Sequence, residues 1–232
     1  MSAVGTAQDV PAPAKPTSSL YMVALLGIVS TFCGLVIVLA YQVTTPAIKS
    51  NLAQITRDAV FEILPETGEM AAYGIQPSGD LVKLEGIETD LPRFFVGYDK
   101  AGKVAGVVFE AAGRGYADVI RVLYAYAPKR EAIVGFKVLD SKETPGLGDQ
   151  IGKNKAFLAN FQALDVTLNA DKSALVHGIE AVKNGTKSEP WQIDALSGAT
   201  VSSKAVGALL NHSTQEMIPL AVRHLAQLEE RN

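Results

Sequence analysis

An uncharged apolar run near the start of the sequence is the feature that most constrains the fold. From Leu20 to Tyr41 the chain carries no Asp, Glu, Lys or Arg. A helix over residues 20–41, at ~1.5 Å per residue, would extend ~33 Å, which is enough to cross the apolar core of a bilayer. Tyr21 and Tyr41 stand at its ends, where aromatic side chains favour the headgroup level. The run therefore predicts a single transmembrane helix.

A cleaved signal peptide is the alternative interpretation of this run. The run is longer than the ~7 to 15 apolar residues usual for such peptides, and no Ala-x-Ala cleavage site follows it. Its length therefore favours an anchor. Charges do not determine the orientation, because Lys15 precedes the run while Lys49 and Arg57 follow it. Residues 1–19, rich in Pro, Ala, Ser and Thr, are predicted to form a disordered tail.

The remaining sequence indicates one α+β domain over residues 67–232, after a juxtamembrane helix over residues 42–66. Strand patterns at 94–98, 104–111, 119–126 and 132–139 are separated by short turns, which predict a largely antiparallel sheet. Helices that would pack against it are predicted at 155–162, at 201–211 and at the end of the chain. A further strand at 175–182 is followed by Asn184 and Gly185, a pair typical of hairpin turns.

Charge, cysteine content and histidine spacing exclude several classes of function. A formal net charge of -3 gives no general attraction to phosphate backbones, so no nucleic-acid partner is expected. The single cysteine, Cys33, cannot build a disulfide, an iron–sulfur cluster or a thiolate zinc site within one chain. The three histidines lack metal-ligand spacing, and we expect no metal site.

A hydroxyl-rich segment of small residues precedes the predicted helix at 201–211. Gly198 and Ala199 permit close approach of a ligand to the backbone, and the first amides of a helix direct free N–H groups at an anion. Lys204 can offset further negative charge. These features are typical of a phosphate site. The alternative is that Ser197 or Thr200 only caps the helix, and the spacing alone favours that cap.

Three motifs follow the apolar run in order. Residues 113–116, Gly-Arg-Gly-Tyr, form a glycine-rich turn with an aromatic; residues 143–148 read Glu-Thr-Pro-Gly-Leu-Gly; residues 194–200 match Asp-x-x-Ser-Gly-Ala-Thr. With the anchor, they cover the chain. The sequence thus resembles the G subunits of Rnf-type electron transport complexes, a family of FMN-binding proteins related to the C subunit of the sodium-pumping NADH:quinone reductase.

The resemblance assigns a role to each motif. It implies that Thr200 carries FMN through a phosphoester bond, made when a flavin transferase supplies FMN from FAD and AMP is released. Asp194 would be recognised by that transferase or hold the loop. Ser141 stands where the family often has a histidine. The other expected flavin-binding residues are Ser197, Gly198, Ala199, Val201, Ser202, Lys204, Glu143, Thr144, Gly146, Leu147 and Tyr116.

The resemblance further implies an electron carrier rather than an independent catalyst, without catalytic residues of its own. It would be a single-pass component of an ion-translocating ferredoxin:NAD oxidoreductase in the bacterial cytoplasmic (inner) membrane, with its soluble domain on the periplasmic or outer side. Its expected partners are the other membrane subunits and the flavin transferase. The alternatives are the equivalent flavin protein of a quinone-linked or other redox complex, and a regulatory module that binds flavin reversibly.

Overall fold

Two structural units make up the chain, Met1–Ser50 and Asn51–Asn232. The computed structural model describes residues 18–86 and 91–229. The predicted disordered tail therefore lies outside the described residues, apart from Ser18 and from Ser19, which begins a helix.

Helix α1, Ser19–Ile63, spans residues 20–41 and continues without a break through the predicted juxtamembrane helix, which ends at Ile63 rather than at residue 66. The helix continues through Pro46, which has no backbone N–H to donate to the preceding turn. Its most apolar window has a mean hydropathy of 2.7, and within the described part of the chain it is the one helix long and apolar enough to cross a membrane. The helix ends just before Pro65, as the sequence predicts.

A seven-stranded sheet forms the framework of the second unit, and each of its pairings is antiparallel. The strands are β1 Glu69–Ile75, β2 Leu81–Leu84, β3 Arg93–Tyr98, β4 Val104–Arg114, β5 Val119–Ala127, β6 Ala132–Asp140 and β7 Leu164–Asp165. Their order across the sheet is β2-β1-β3-β4-β5-β6-β7. The predicted antiparallel meander is confirmed in β3 to β6, while β1, β2 and β7 had no clear signal in the sequence.

The remaining elements follow the sheet along the chain. They are α2 Lys155–Ala159, β8 Glu180–Val182, β9 Gln192–Asp194, α3 Thr200–Arg223 and α4 Leu225–Glu229, with short 3-10 turns at Pro128–Arg130, Gly148–Gly152 and Asn160–Gln162. The fold is α+β, as predicted. Helix α3 joins the helix expected at 201–211 to most of the helix expected at the end of the chain, because Ile218 and Ala221 continue its buried face.

The predicted hairpin at Asn184 and Gly185 is wrong. Strand β8 pairs in parallel with β9, so the chain crosses over instead of returning directly. The Asn184 amide donates to the carbonyl of Ala195 at 2.8 Å, and the Gly185 N–H donates to the Asp194 carboxylate at 2.7 Å. The turn is therefore held by the end of β9 rather than by a neighbouring antiparallel strand.

Aromatic side chains fill the face of the sheet that α3 covers. Neighbouring strands place Tyr73, Phe94, Phe109 and Tyr124 opposite one another, with ring centroids 5.8, 5.7 and 5.3 Å apart along the row. The Tyr124 hydroxyl lies 2.8 Å from Ser213 Oγ on α3. Burial raises the pKa of Tyr124, so its hydroxyl stays protonated in this core. The row therefore contacts α3 through Tyr124.

A close backbone approach sets the position of the first half of α3. A Cβ added to Gly113 of β4 would lie 2.8 Å from Leu209 Cβ, and one added to Gly207 would lie 2.8 Å from Ala181 Cβ. Both contacts are too short for any side chain, so α3 is held close to β4 and β8. On the opposite face of the sheet, Ala59, Val60 and Ile63 at the end of α1 pack against buried sheet residues.

Candidate functional site

A cleft of about 330 Å³ opens at the first turn of α3. Three separate segments line it: the β4–β5 turn, the loop after β6, and the start of α3 with the residues before it. The lining residues are Tyr116, Glu143, Thr144, Leu147, Gly148, Gly198, Ala199, Thr200, Val201 and Ser202. The structure therefore brings the three sequence motifs together at one place. A larger groove of about 770 Å³, near the turn at 99–102, is lined by no predicted site residue.

Neither Ser197 nor Thr200 caps helix α3, in contrast to the interpretation that spacing alone favoured. The capping position is Ala199, whose side chain has no oxygen to accept from the helix. Ser203 instead stabilises the entry to the helix, because its hydroxyl accepts the Leu196 N–H at 3.1 Å. The first amides of an α-helix have no acceptor within the helix. Without a side-chain cap, these amides are available to a ligand.

The hydroxyl groups at the start of α3 differ in accessibility. Ser197 and Thr200 are exposed, whereas Ser202 and Ser203 are buried. The Thr200 hydroxyl donates only a long hydrogen bond, 3.4 Å, to the carbonyl of Leu196. Of these hydroxyls, that of Thr200 is the one that is both exposed and in the lining of the cleft.

The glycine loop after β6 is held by Asp149. Gly146 has φ of +79°, and its N–H donates to Asp149 Oδ1 at 2.7 Å. Asp149 Oδ2 accepts from Lys153 Nζ, also at 2.7 Å, and this contact is the main cause that lowers the pKa of Asp149. Leu147 is 52% exposed and approaches Gly198, where an added Cβ would lie 3.5 Å from Leu147 Cδ2. The loop thus presents an apolar side chain beside the start of α3.

Tyr116 lies on the turn that joins β4 and β5. The Gly115 N–H donates to the carbonyl of Asp118 at 2.8 Å, which closes the turn. Asp118 forms an ion pair with Lys142 at 3.0 Å. The pKa of Asp118 is lowered mainly by the hydrogen bond from the Val119 N–H and, next, by Lys142. Tyr116 is 68% exposed, so its ring lies outside the core of the sheet.

Glu143 connects all three segments. The residue is 5% exposed, and its carboxylate accepts the Ala117 N–H at 3.0 Å from the Tyr116 turn and the hydroxyl of Ser202 from α3. The Glu143 N–H donates to Ser141 Oγ at 3.2 Å, which is a role for the serine that stands in place of the family's histidine. No local pattern in the sequence indicated that this carboxylate bridges the segments.

Asp194 lies outside the lining of the cleft, as do Ser197, Gly146 and Lys204. It caps no helix; it accepts the Gly185 N–H, and its own N–H donates to the Asn160 side chain at 3.0 Å. Lys187 also donates to the Asn160 side chain, at 3.3 Å. Burial lowers the pKa of Lys187, and the negative charge of Asp194 opposes that effect. Asn160 was not among the predicted site residues. Its signal in the sequence is a polar residue between two aromatic residues, Phe157 and Phe161, and the structure shows that it is buried.

The cleft suits a phosphate group joined to a flat ring. Uncapped helix amides and Gly198, which has φ of +82° and no Cβ, leave room for an anion beside Thr200. Tyr116, Leu147 and the 56% exposed Val201 offer apolar surface next to it. The volume lies near the lower end of the ~300 to 1,000 Å³ typical of ligand sites.

Comparison with known proteins identifies the family of the chain. Residues 115–215 match the FMN-binding domain family. The G subunit of the ion-translocating oxidoreductase complex of Cereibacter sphaeroides is 31% identical over 220 residues, which cover 93% of this chain and 91% of that protein. The G subunit of the proton-translocating ferredoxin:NAD(+) oxidoreductase complex of Clostridium ljungdahlii is 26% identical over 193 residues, or 83% of this chain and 88% of that protein.

The fold also matches a solved structure. NqrC of Shewanella oneidensis superposes with a TM-score of 0.54 at 19% identity, covering 73% of this chain and 87% of that chain. At this identity the likeness concerns the fold alone. The sequence relationship over nearly the full length is more specific, and it agrees with the resemblance carried by the three motifs. The chain belongs to the family of G subunits of ion-translocating oxidoreductase complexes, and it contains an FMN-binding domain that the family model matches over residues 115–215.

Proposed function

We propose that the chain is a membrane-anchored electron carrier, with FMN attached to Thr200 by a phosphoester bond, in an Rnf-type ferredoxin:NAD oxidoreductase complex. One observation carries the proposal: the exposed Thr200 hydroxyl lies in the same cleft as the loop after β6 and the Tyr116 turn. The names of the related proteins support the assignment to such a complex.

The start of α3 would hold the phosphate. Thr200, Val201 and Ser202 are the first three residues of the helix, so their N–H groups have no acceptor within it. The helix dipole adds about 0.3 to 1 kcal/mol for an anion at this end. Gly198 and Ala199 would allow close approach, while exposed Lys204 and Ser197 lie near enough in sequence to contribute charge and polarity at the rim.

The exposed apolar side chains at the cleft would contact the flavin ring. Leu147 and Tyr116 are large hydrophobic side chains left in solvent, an arrangement that indicates a binding surface when such residues cluster. Thr144 is exposed in the same lining, and its hydroxyl would donate to a ring carbonyl. Gly146 allows the positive φ that the loop adopts. Bound FMN supplies one-electron chemistry, while these residues set its position.

Thr200 is the acceptor that the arrangement favours. Its oxygen would bond to the phosphorus on the FMN side of FAD, the pyrophosphate bond would break with release of AMP, and the hydroxyl proton would pass to the flavin transferase. Ser202 and Ser203 are poor competitors because their hydroxyls are buried and already hydrogen-bonded. Attachment would keep the cofactor on a protein whose soluble domain, residues 67–232, faces the periplasmic or outer side.

The apolar part of α1 would anchor the chain in the cytoplasmic membrane beside the other subunits. Its hydropathy and length fit one crossing at residues 20–41. Alkaline carbonate extraction of membranes tests the anchor, because a cleaved leader would release the domain and shorten the chain. Protease treatment of spheroplasts tests on which side of the membrane the domain lies. We expect the protease to digest the domain without lysis, and protection of the domain until lysis would contradict the outer location.

The covalent bond is tested by mass and by fluorescence after co-expression with a flavin transferase. We expect the intact wild-type protein to gain the mass of one FMN less water, and its band to fluoresce on a denaturing gel. Thr200→Ala is expected to lose both signals. Ser188→Ala is the matched control, because it removes an exposed hydroxyl that lies outside the lining of the cleft, and it should load normally. Flavin that leaves the wild-type band on denaturation would indicate the reversible binding module instead.

A further inference from the structure

Glu143 carries a buried carboxylate in the wall of the cleft. It takes part in none of the ion pairs formed among residues 18–86 and 91–229. One oxygen accepts the Ala117 N–H and the other accepts the Ser202 hydroxyl. An ionised carboxylate can only accept hydrogen bonds, so both contacts suit the charged form. Dipoles, rather than a cation from the described part of the chain, therefore offset its negative charge.

The charge lies at the positive end of a helix. Ser202 is the third residue of α3, and the helix dipole there favours an anion. Two glycines admit the carboxylate to this place: a Cβ on Gly148 would lie 2.6 Å from Glu143 Oε2, and a Cβ on Gly115 would overlap the other oxygen. Contacts with the Tyr116 turn and with α3 then fix the charge between the segments that line the cleft.

Packing and hydrogen bonding do not require this charge. A glutamine at position 143 would have the same shape; its carbonyl would accept from Ala117, and its amide would donate to Ser202, whose hydroxyl can accept as well as donate. Burial of an ionised group is costly compared with such a neutral replacement. Shape and hydrogen bonding alone therefore do not account for a glutamate at position 143.

We propose that the Glu143 carboxylate lowers the reduction potential of the flavin in this cleft. The inference rests on the proposed flavin site. Each electron that the ring takes from a one-electron donor adds negative charge beside a fixed negative charge, in a wall where little water screens their repulsion. The oxidised ring is thereby favoured over the reduced ring. Glu143 also holds two walls of the cleft together, because it joins the Tyr116 turn to the helix that carries Thr200.

The test is a redox titration of the full-length, FMN-loaded protein at pH 8. Glu143→Gln keeps shape and hydrogen bonds but removes the charge, and its midpoint potential is expected to shift to a more positive value. Asp118→Asn is the matched control, since that carboxylate lies on the same turn but is exposed and paired with Lys142; its potential should stay at the wild-type value. An unchanged or more negative potential in Glu143→Gln would overturn the inference.

A second variant decides the matter if Glu143→Gln does not load. Ser202→Ala keeps the charge and removes one of the two donors that offset it, so its potential is expected to be more negative than that of the wild type. An unchanged or more positive value would contradict the inference. Intact mass separates the two proposals: wild-type protein without FMN refutes the proposed function, whereas loaded variants with unshifted potentials refute only the role of Glu143.

Discussion

Gly148 lies so close to Glu143 that a Cβ on Gly148 would stand 2.6 Å from Glu143 Oε2 and 2.8 Å from its Cβ. The same Cβ would stand 2.8 Å from Ser202 Oγ, so the last glycine of the loop after β6 is in contact with the first turn of α3. This close packing places the loop beside Thr200. The glycine is therefore required by steric exclusion, and not by an unusual backbone angle.

Gly148→Ala is expected to destabilise the protein and to reduce FMN loading. The added methyl group must displace the buried carboxylate or the helix, and such overpacking typically costs about 1 to 3 kcal/mol. Thermal unfolding in detergent and intact mass after co-expression measure the two effects. Gly86→Ala is the control, because a Cβ there would meet no atom of residues 18–86 or 91–229 within 4 Å. Wild-type stability and loading in Gly148→Ala would show that the loop is not packed as described.

Replacing Asp194 separates a positioning role from recognition by the transferase. Its carboxylate accepts the Gly185 N–H at 2.7 Å inside the domain. Asp194→Asn keeps an oxygen for this bond, so we expect it to load FMN nearly as the wild type does. Asp194→Ala loses the bond and is expected to lose about 1 kcal/mol of stability, with slower loading.

Loading rates of both Asp194 variants, measured by fluorescence on denaturing gels over time, check this expectation. The opposite pattern would be informative. If Asp194→Asn unfolds at the wild-type temperature but does not load FMN, the transferase recognises the negative charge of Asp194 directly. The positioning role would then be wrong.

The loop after β6 is expected to contribute less to stability in acid. Lys153 above all lowers the pKa of Asp149 in the folded protein, so folding favours the ionised carboxylate. The stabilisation that the ionised Asp149 contributes is complete above about pH 5, roughly one unit over the ordinary pKa of an aspartate. It is lost as the pH falls through the lowered pKa of Asp149 in the folded state. Urea unfolding of wild type and Asp149→Asn at several pH values measures it. The difference between them should shrink in acid; a constant difference would contradict the assignment.

Sequence patterns predicted those elements whose causes are local. Strands β3 to β6 were anticipated because their apolar residues are separated by short turns, such as the one at 99–102, where Asp99 Oδ1 accepts two backbone N–H groups at 2.8 and 2.9 Å. The Asn184 and Gly185 turn has an equally strong local signal, but it failed as a hairpin. The distant Asp194 and Ala195 hold that turn, and no local pattern contains them.

The sequence by itself determined the long apolar segment of α1, the antiparallel meander and the identity of three flavin-protein motifs, because each depends on residues that are neighbours along the chain. Only the tertiary structure decided that Tyr116, Leu147 and Thr200 share one cleft, that Ser203 rather than Ser197 or Thr200 supports the helix entry, and that Glu143 links the segments. These relationships depend on the close approach of α3 to the sheet. That approach arises from packing between residues far apart in sequence, at positions where glycine leaves room for a neighbour.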